Sequence, residues 1–229
     1  MRGEISTGRL AKRHPLDWYV EEGWEWDQIV AAIGLELPGV TIWDPAAGFG
    51  HSASRLQAWH PVNRFVLSDV VDNVAWGDFE DASRVAFYSA DFLEMERVPR
   101  PNGTCSIWSN PPFSYKKVWY DGRQVSISEA FVRHALSLAT DRVVMLLPAK
   151  WLAMGIKRSR LVRTDHPPAT VLHFCQRPSM PPGDRIHLMG NRAYRGGMVD
   201  YCAVVWDVRH PTAPGETRTV WLPPLAGDA

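Results

Sequence analysis

The residues best suited to do chemistry are Ser109-Asn110-Pro111-Pro112-Phe113. Two consecutive prolines have fixed φ and no N–H, so the carbonyls around them can be held toward one side. The Asn110 side-chain oxygen and the Pro111 carbonyl then offer two acceptors, enough for the two N–H bonds of a planar amino group. A nitrogen conjugated to a ring or carbonyl is a weak nucleophile because its lone pair is delocalised. Accepting both of its hydrogens favours a pyramidal nitrogen and restores that lone pair. Phe113 would stack on the flat face of the substrate and fix its angle of approach. Other proline pairs occur at 167–168, 181–182 and 223–224, so a pair alone signals only a turn. The preceding asparagine and following aromatic set this one apart. The predicted chemistry is attack by an amino nitrogen on an electrophilic carbon, with no covalent intermediate and no metal, through Asn110, Pro111, Pro112 and Phe113.

A second group of residues suits a cationic adenosyl compound. Thr41-Ile42-Trp43 runs into Asp44-Pro45-Ala46-Ala47-Gly48-Phe49-Gly50, a glycine-bearing turn that lets backbone approach a ligand. A dinucleotide fingerprint needs three glycines and seats a pyrophosphate. Here only Gly48 and Gly50 are present, and Asp44 would repel pyrophosphate but suits the cationic end of S-adenosylmethionine (SAM). Two later apolar runs also end in acids. Asp69 can accept both hydrogen bonds of a ribose diol, and Asp91, with Phe92 beside it, can accept from an adenine amino group. Aspartate is common after strands as a turn former or cap; three successive strand ends in this order argue for a site. Asp72 reads as the cap of a following helix.

These residues need a sheet to carry them. Apolar, β-branched runs at 40–43, 64–68, 85–89, 104–109, 142–147, 169–175 and 201–207 alternate with helical patterns at 51–60, 71–79, 126–139 and 150–163. The alternation predicts an α/β domain with a mostly parallel sheet. The last two runs have no helix between them and are expected to form an antiparallel edge pair. A further helix is expected at 26–33, its start extending toward residue 22. The segment from 210 is Pro-rich and expected to lie extended over the surface. The expected organisation is one domain over 1–209, with 1–39 as a capping segment and helix, and a tail over 210–229.

The chain has 229 residues, 45% hydrophobic and 22% charged, as ordinary globular domains do. No apolar run reaches the ~18 residues a membrane span needs, and 1–13 lacks the apolar core of a secretory signal. Three cysteines, Cys105, Cys175 and Cys202, without paired spacing predict reduced, buried thiols and a cytoplasmic location. The eight histidines are scattered and make no ligand pair. Net charge is zero, yet residues 1–99 carry 16 acids against 8 bases, and residues 142–197 carry 2 acids against 10 bases. Lys150, Lys157, Arg158, Arg160, Arg163, Arg177, Arg185, Arg192 and Arg195 make that second stretch a candidate anion-binding face.

Taken together, these motifs resemble the class I SAM-dependent methyltransferases of the amino-methylating group, which includes DNA and RNA adenine-N6 and release-factor glutamine methyltransferases. Asn110–Phe113 matches that family's (Asp/Asn/Ser)-Pro-Pro-(Tyr/Phe/Trp) motif, and Asp44–Gly50 its Asp-Pro-x-x-Gly-x-Gly loop. The resemblance covers about residues 14–208. It implies a Rossmann-like sheet of seven strands ordered 3-2-1-4-5-7-6 with the last strand antiparallel. It also implies SAM as cofactor, held by Tyr19, Asp44, Pro45, Ala46, Gly48, Gly50, Asp69, Asp91, Phe92 and Asn110. Asp17-Trp18-Tyr19-Val20-Glu21 is similar to the segment that caps the methionine end in DNA adenine methyltransferases, but has Glu21-Glu22 where those have Thr-Pro. Residues 177–183, with Gly196-Gly197 and Asp200-Tyr201-Cys202, look similar to small phage and prophage methyltransferases, which implies a bacterial or phage-infected host cell.

The motif fits DNA adenine, RNA adenine and protein glutamine alike. The basic, aromatic loops on either side of it favour DNA adenine N6 as the methyl acceptor, with RNA adenine or a protein glutamine as same-chemistry alternatives and a non-catalytic SAM-binding subunit as the alternative of another class. DNA methyltransferases of restriction systems carry a sizeable target-recognition domain, whereas only 116 residues follow Phe113 here. Recognition would fall to loops 114–125 and 178–197. The first interleaves Tyr115, Lys116, Lys117, Trp119, Tyr120 and Arg123; the second has Arg185, His187, Asn191, Arg192, Tyr194 and Arg195. That mixture suits phosphate contacts and base stacking. Lys116, Lys117, Arg123, Lys150, Arg185, Arg192 and Arg195 are the candidate nucleic-acid contacts, in a monomer or homodimer. Trp18, Trp24 and Trp26 could line the cofactor pocket or pack the N-terminal helix.

Overall fold

The computed structural model describes residues 18–99, 103–114, 116–153 and 155–225, apart from the side chains of Lys157 and Asn191. Tyr115 and Asp17, named above, lie outside the described residues. In chain order the elements are α1 (Trp24–Ile33), β1 (Thr41–Asp44), α2 (His51–Trp59), β2 (Arg64–Asp69), β3 (Val85–Ser89), β4 (Cys105–Ser109), β5 (Lys117–Tyr120), β6 (Arg123–Ser126), α3 (Ile127–Leu138), β7 (Arg142–Pro148), α4 (Ile156–Arg160), β8 (Thr170–Phe174), α5 (Ile186–Met189), β9 (Tyr201–Asp207) and β10 (Arg218–Leu222). Eight strands form one sheet in the order β10-β8-β9-β7-β4-β1-β2-β3. β9 runs antiparallel to both β7 and β8, and the other pairings are parallel.

The sheet is buried on both faces, and the alternation of side chains along each strand sorts them. Trp43, Ile107, Val143, Met145, Cys202 and Val204 point to one side, where Phe131, Val132 and Ala135 of α3 cover them. Ile42, Trp108, Val144, Leu146, Ala203 and Val205 point to the other, under Trp26, Ile29 and Val30 of α1 and Ala53 and Leu56 of α2. The sequence Ser126-Ile127-Ser128-Glu129 starts α3 as a capping motif, with the Ser126 hydroxyl accepting the Glu129 N–H at 3.3 Å. Buried indoles account for part of the tryptophan content, each satisfied within the core. Trp43 donates to Ser68 Oγ at 3.0 Å, Trp108 to Glu36 Oε1 at 2.8 Å and Trp26 to Glu21 Oε1 at 2.9 Å.

Several expectations are corrected. The sheet has eight strands, not seven, because β10 adds to the β8 edge in parallel. The segment from 210 therefore does not simply lie over the surface. Its strand is fixed by pairing from Arg218↔Thr170 to Leu222↔Phe174 and by the Gln28 amide donating to the Pro223 carbonyl at 2.8 Å. The pattern at 71–79 forms only a 3-10 turn at Trp76–Asp78, and Asp72 accepts the Val74 N–H without starting an α-helix. The pattern at 150–163 is broken into a turn at Ala149–Trp151, the short α4 and a π turn at Leu161–Asp165. Loop 114–125 contains the β5–β6 hairpin, reversed by Asp121 and Gly122 at φ 50° and 69°, as a two-residue hairpin turn requires. Cys175 is exposed, whereas Cys105 and Cys202 are buried.

Candidate active site

Among parallel strands, the carboxyl ends of β1 and β4 lie side by side where the strand order reverses, the place where open α/β sheets leave a crevice. A cavity of about 200 Å³ opens there. Tyr19, Asp44, Pro45, Ala46, Gly48, Asp69, Asp91, Phe92, Asn110, Pro111, Pro112 and Phe113 all line it, as does Lys116. Residues from four strand ends, an N-terminal segment and α3 thus converge, Trp18 and Phe131 being 113 positions apart. Gly50 is not among the lining residues. It begins α2 at φ 82°, and a Cβ there would stand 3.0 Å from the Phe79 ring.

The two key loops are tied together by Asp44. Its Oδ1 accepts from the Ala46 N–H at 3.0 Å and from the Ser109 hydroxyl at 2.8 Å, and its Oδ2 accepts from the Ser52 hydroxyl. Burial pushes its carboxyl up to about 7, with the three hydrogen bonds opposing and nearby Glu21 adding to the rise. Asp69 is raised by burial as well, against the Gly48 N–H it accepts at 2.9 Å. Asp91 is exposed, and its Oδ1 accepts the Leu93 N–H at 3.0 Å, so it caps the turn at Phe92–Glu94 while its side faces the cavity. Phe92 is buried, packed against Trp43 and Phe131.

Asn110 is held from the opposite wall. Its Nδ2 donates to the Tyr19 carbonyl at 3.1 Å and to Glu21 Oε2 at 2.7 Å. Both acceptors demand the amide nitrogen on that side, so Oδ1 is turned away, buried and without a hydrogen-bond partner. A buried acceptor left unpaired costs about 1–3 kcal/mol. Glu21, named above only within the capping segment, is not foreseen from the sequence as a partner of Asn110; its other oxygen takes the Trp26 indole N–H. No spacing pattern signals a contact made across 89 positions. Phe113 stands beside Tyr201, ring centroids 5.6 Å apart.

Residues 18–20 form a strap across this wall. The Val20 N–H donates to the Pro181 carbonyl at 3.0 Å, and the Gly183 N–H to the Trp18 carbonyl at 3.2 Å. Trp18 packs edge-on against Phe49 and sits over two glycines. A Cβ at Gly48 would stand 2.7 Å from its indole nitrogen, and one at Gly183 would overlap its ring. Of the three N-terminal tryptophans, Trp18 lines the cavity, Trp26 fills the core and Trp24 packs on Phe174.

The basic residues are less uniform than their count suggests. Arg158 pairs with Glu129, Arg160 with Asp165, Arg177 with Asp200 and Arg142 with Glu36. For three of these four the partner acid lies outside residues 142–197. Lys116, Lys117, Arg123, Lys150, Arg185, Arg192 and Arg195 are exposed, Arg123 within 3.6 Å of Asp121. Lys116 borders the cavity, Lys117 and Arg123 lie on the hairpin, and the last three lie between β8 and β9. Among the described residues no cluster of three potential metal ligands occurs, and no helix is long and apolar enough to cross a membrane.

No protein-family model matches the sequence, and no curated protein matches it. Similar solved structures exist. The methyltransferase subunit of a type I restriction-modification system from Streptococcus thermophilus is 15% identical, with TM-score 0.59 over 83% of this chain and 45% of that one. A putative class I SAM-dependent methyltransferase from Listeria monocytogenes is 11% identical, with TM-score 0.60 over 89% of this chain and 64% of that one. A geranyl diphosphate methyltransferase solved with GPP and sinefungin is 17% identical, with TM-score 0.50 over 82% and 77%. The chain thus matches less than two thirds of the length of the first two. The chain has the α/β Rossmann-like fold of class I SAM-dependent methyltransferases, with one strand more than the seven expected.

Proposed function

We propose that this protein is a SAM-dependent methyltransferase acting on an exocyclic amino nitrogen, adenine N6 in DNA. The observation that carries the reading is the Asn110 side chain: an amide whose nitrogen is fixed by Glu21 and the Tyr19 carbonyl, leaving a buried oxygen unpaired. An amino N–H would satisfy that oxygen, and the Pro111 carbonyl would take the second hydrogen. Accepting both draws the nitrogen lone pair out of conjugation, while stacking on Phe113 fixes the angle of attack.

The cavity fits SAM on chemical grounds. Asp44, Asp69 and Asp91 line it, a negative set suited to a ligand carrying a sulfonium and an ammonium. Asp44 and Tyr19 would hold the methionine end, Asp69 the ribose, Asp91 and Phe92 the adenine. When bound, SAM supplies a methyl group on a positively charged sulfur, ready for transfer to a neutral nucleophile. The protein's share is to hold the amino group, orient it and keep water from the buried Asn110 oxygen.

DNA as substrate rests on the exposed cations Lys116, Lys117 and Arg123 leading away from the catalytic loop, with Trp119 among them at 77% exposed. Phosphate contacts and stacking on bases need that pairing of side chains. A base inside a duplex would have to be flipped out to reach Asn110. The fold shared with a restriction-modification methyltransferase subunit is in keeping with this reading. The test is transfer of labelled methyl from SAM to duplex DNA, single strands, RNA and proteins of a cell extract, side by side. Label in DNA adenine supports the proposal; label only in RNA or protein replaces the substrate, and no label in any of them overturns it.

A further inference from the structure

A second, smaller cavity adjoins the first, sharing Phe113 and Ser114 with it. It measures about 30 Å³ and is lined otherwise by Ser126, Ser128, Pro148, Lys150, Trp151 and Arg158. That is room for one or two oxygen-sized groups. One lining residue, Arg158, belongs to a buried charge cluster with more cations than anions. Arg133 takes up Glu129 Oε1 through two hydrogen bonds of 3.0 Å. Arg158 approaches the other oxygen only at 3.6 Å through Nε, which makes no hydrogen bond. The Arg133, Glu129 and Arg158 side chains are 8%, 8% and 11% exposed, so two guanidiniums share one carboxylate away from water.

Arg158 is nonetheless held firmly. It donates to the Trp151 carbonyl at 3.2 Å and to Ser126 Oγ at 2.8 Å, and its guanidinium carbon lies 4.8 Å over the Trp151 ring. Burial lowers its pKa, as expected where a cation lacks full compensation. A preformed cation lining a dent too small for a ring suits an anionic oxygen. We propose that this cavity is a phosphate subsite, in which Arg158 and Lys150 bind a phosphodiester oxygen next to the nucleotide whose base stacks on Phe113. The inference rests on the reading of the substrate as a nucleic acid. A phosphodiester fits better than a carboxylate because two further exposed cations, Lys116 and Lys117, follow Ser114 of the cavity wall closely in the chain, and a backbone carries successive phosphates.

The test uses binding and methyl transfer separately, on the full chain. Affinity for a fluorescent duplex is measured against salt for the wild type, Arg158→Lys and Arg158→Gln, with circular dichroism to check folding. Arg158→Lys keeps a positive charge over Glu129 and loses the fork, so it remains informative if Arg158→Gln does not fold. In parallel, the Arg158 Nε–H resonance of the wild type is followed as duplex is added. The inference expects a roughly 10- to 100-fold weaker affinity on losing a charged contact. It also expects the slope of log affinity against log salt to fall by about one in Arg158→Gln, and the Nε–H resonance to move. Unchanged affinity and slope in folded variants, with an unmoved resonance, would overturn it even if the wild type methylates DNA. A moved resonance and weakened binding without methylation of DNA would uphold the subsite and sink the proposed reaction. No binding of duplex at all would sink both.

Discussion

Asn110 carries an amide whose oxygen and nitrogen have nearly the same shape, so its neighbours decide which of them faces a substrate. Glu21 decides it here, because a carboxylate only accepts: one oxygen takes the Trp26 indole N–H and the other takes Asn110 Nδ2. In Glu21→Gln one of those acceptors becomes a donor facing an N–H. The Asn110 amide is then free to turn, and kcat for methyl transfer should fall about 10- to 100-fold, the scale of one misplaced catalytic group, with KM for SAM nearly unchanged. Equal losses in both parameters would mark Glu21 as part of the cofactor site instead. Asp44 gives a second expectation. Burial raises its folded pKa to about 7 from an ordinary 3.8, so it contributes stability that is complete below the unfolded pKa and lost as pH rises through 7. Stability of the ligand-free protein should therefore decline between about pH 4 and 7, and Glu25, pushed up to about 8 by burial, extends the decline. A cationic ligand favours the ionised form, so SAM affinity measured by calorimetry should rise from pH 5 to 7. Asp44→Asn should flatten that rise. The acids ending β1, β2 and β3 could be read from the sequence because strand ends are local features. Glu21 could not, since its function depends on where residue 110 comes to lie.

At the scale of elements, the strands that carry the site follow from short apolar, β-branched runs, and α2 and α3 from the helical patterns between them. β10 was hidden by its surroundings. Prolines at 211, 214, 223 and 224 dominate that stretch, and an edge strand with only Leu222 buried offers a faint pattern. Yet Leu222 is 4% exposed under the sheet's second face, so Leu222→Ala should cost about 2–5 kcal/mol. A denaturation midpoint like that of the wild type would show that β10 is not part of the cooperative unit. The β5–β6 hairpin did have a signal, Asp121-Gly122 between aromatic and β-branched residues. It leaves Trp119 exposed to solvent. Trp119→Ala should leave the melting temperature unchanged, because the ring is 77% exposed, and weaken DNA binding by the roughly 1–3 kcal/mol of one base stacked on an aromatic ring. Unaltered binding would remove the hairpin from the substrate surface.

Over the whole molecule, the cavity at the strand ends is lined by the carboxylates Glu21, Asp44, Asp69 and Asp91 from the first half of the chain, with Lys116 at its border and the exposed Lys117 and Arg123 following on the β5–β6 hairpin. The strap at residues 18–20 crosses one wall of this cavity, hydrogen-bonded to Pro181 and Gly183 while its Trp18 packs on Gly48. Tyr194 is affected by the same arrangement: burial and then Glu21, Glu22 and Glu25 push its hydroxyl up to about 12. Net charge of zero conceals this distribution, and only the folded arrangement shows which cations are already paired. The fold itself leaves the substrate open, since one similar structure is a methyltransferase subunit of a restriction-modification system and another a geranyl diphosphate methyltransferase. The most direct measurement is methyl transfer from labelled SAM to duplex DNA by the wild type and by Asn110→Ala. The account predicts label at adenine N6 with the wild type and a loss of about 100-fold or more in kcat with Asn110→Ala. Methylation by Asn110→Ala at the wild-type rate, or no methylation of DNA by the wild type, would contradict it.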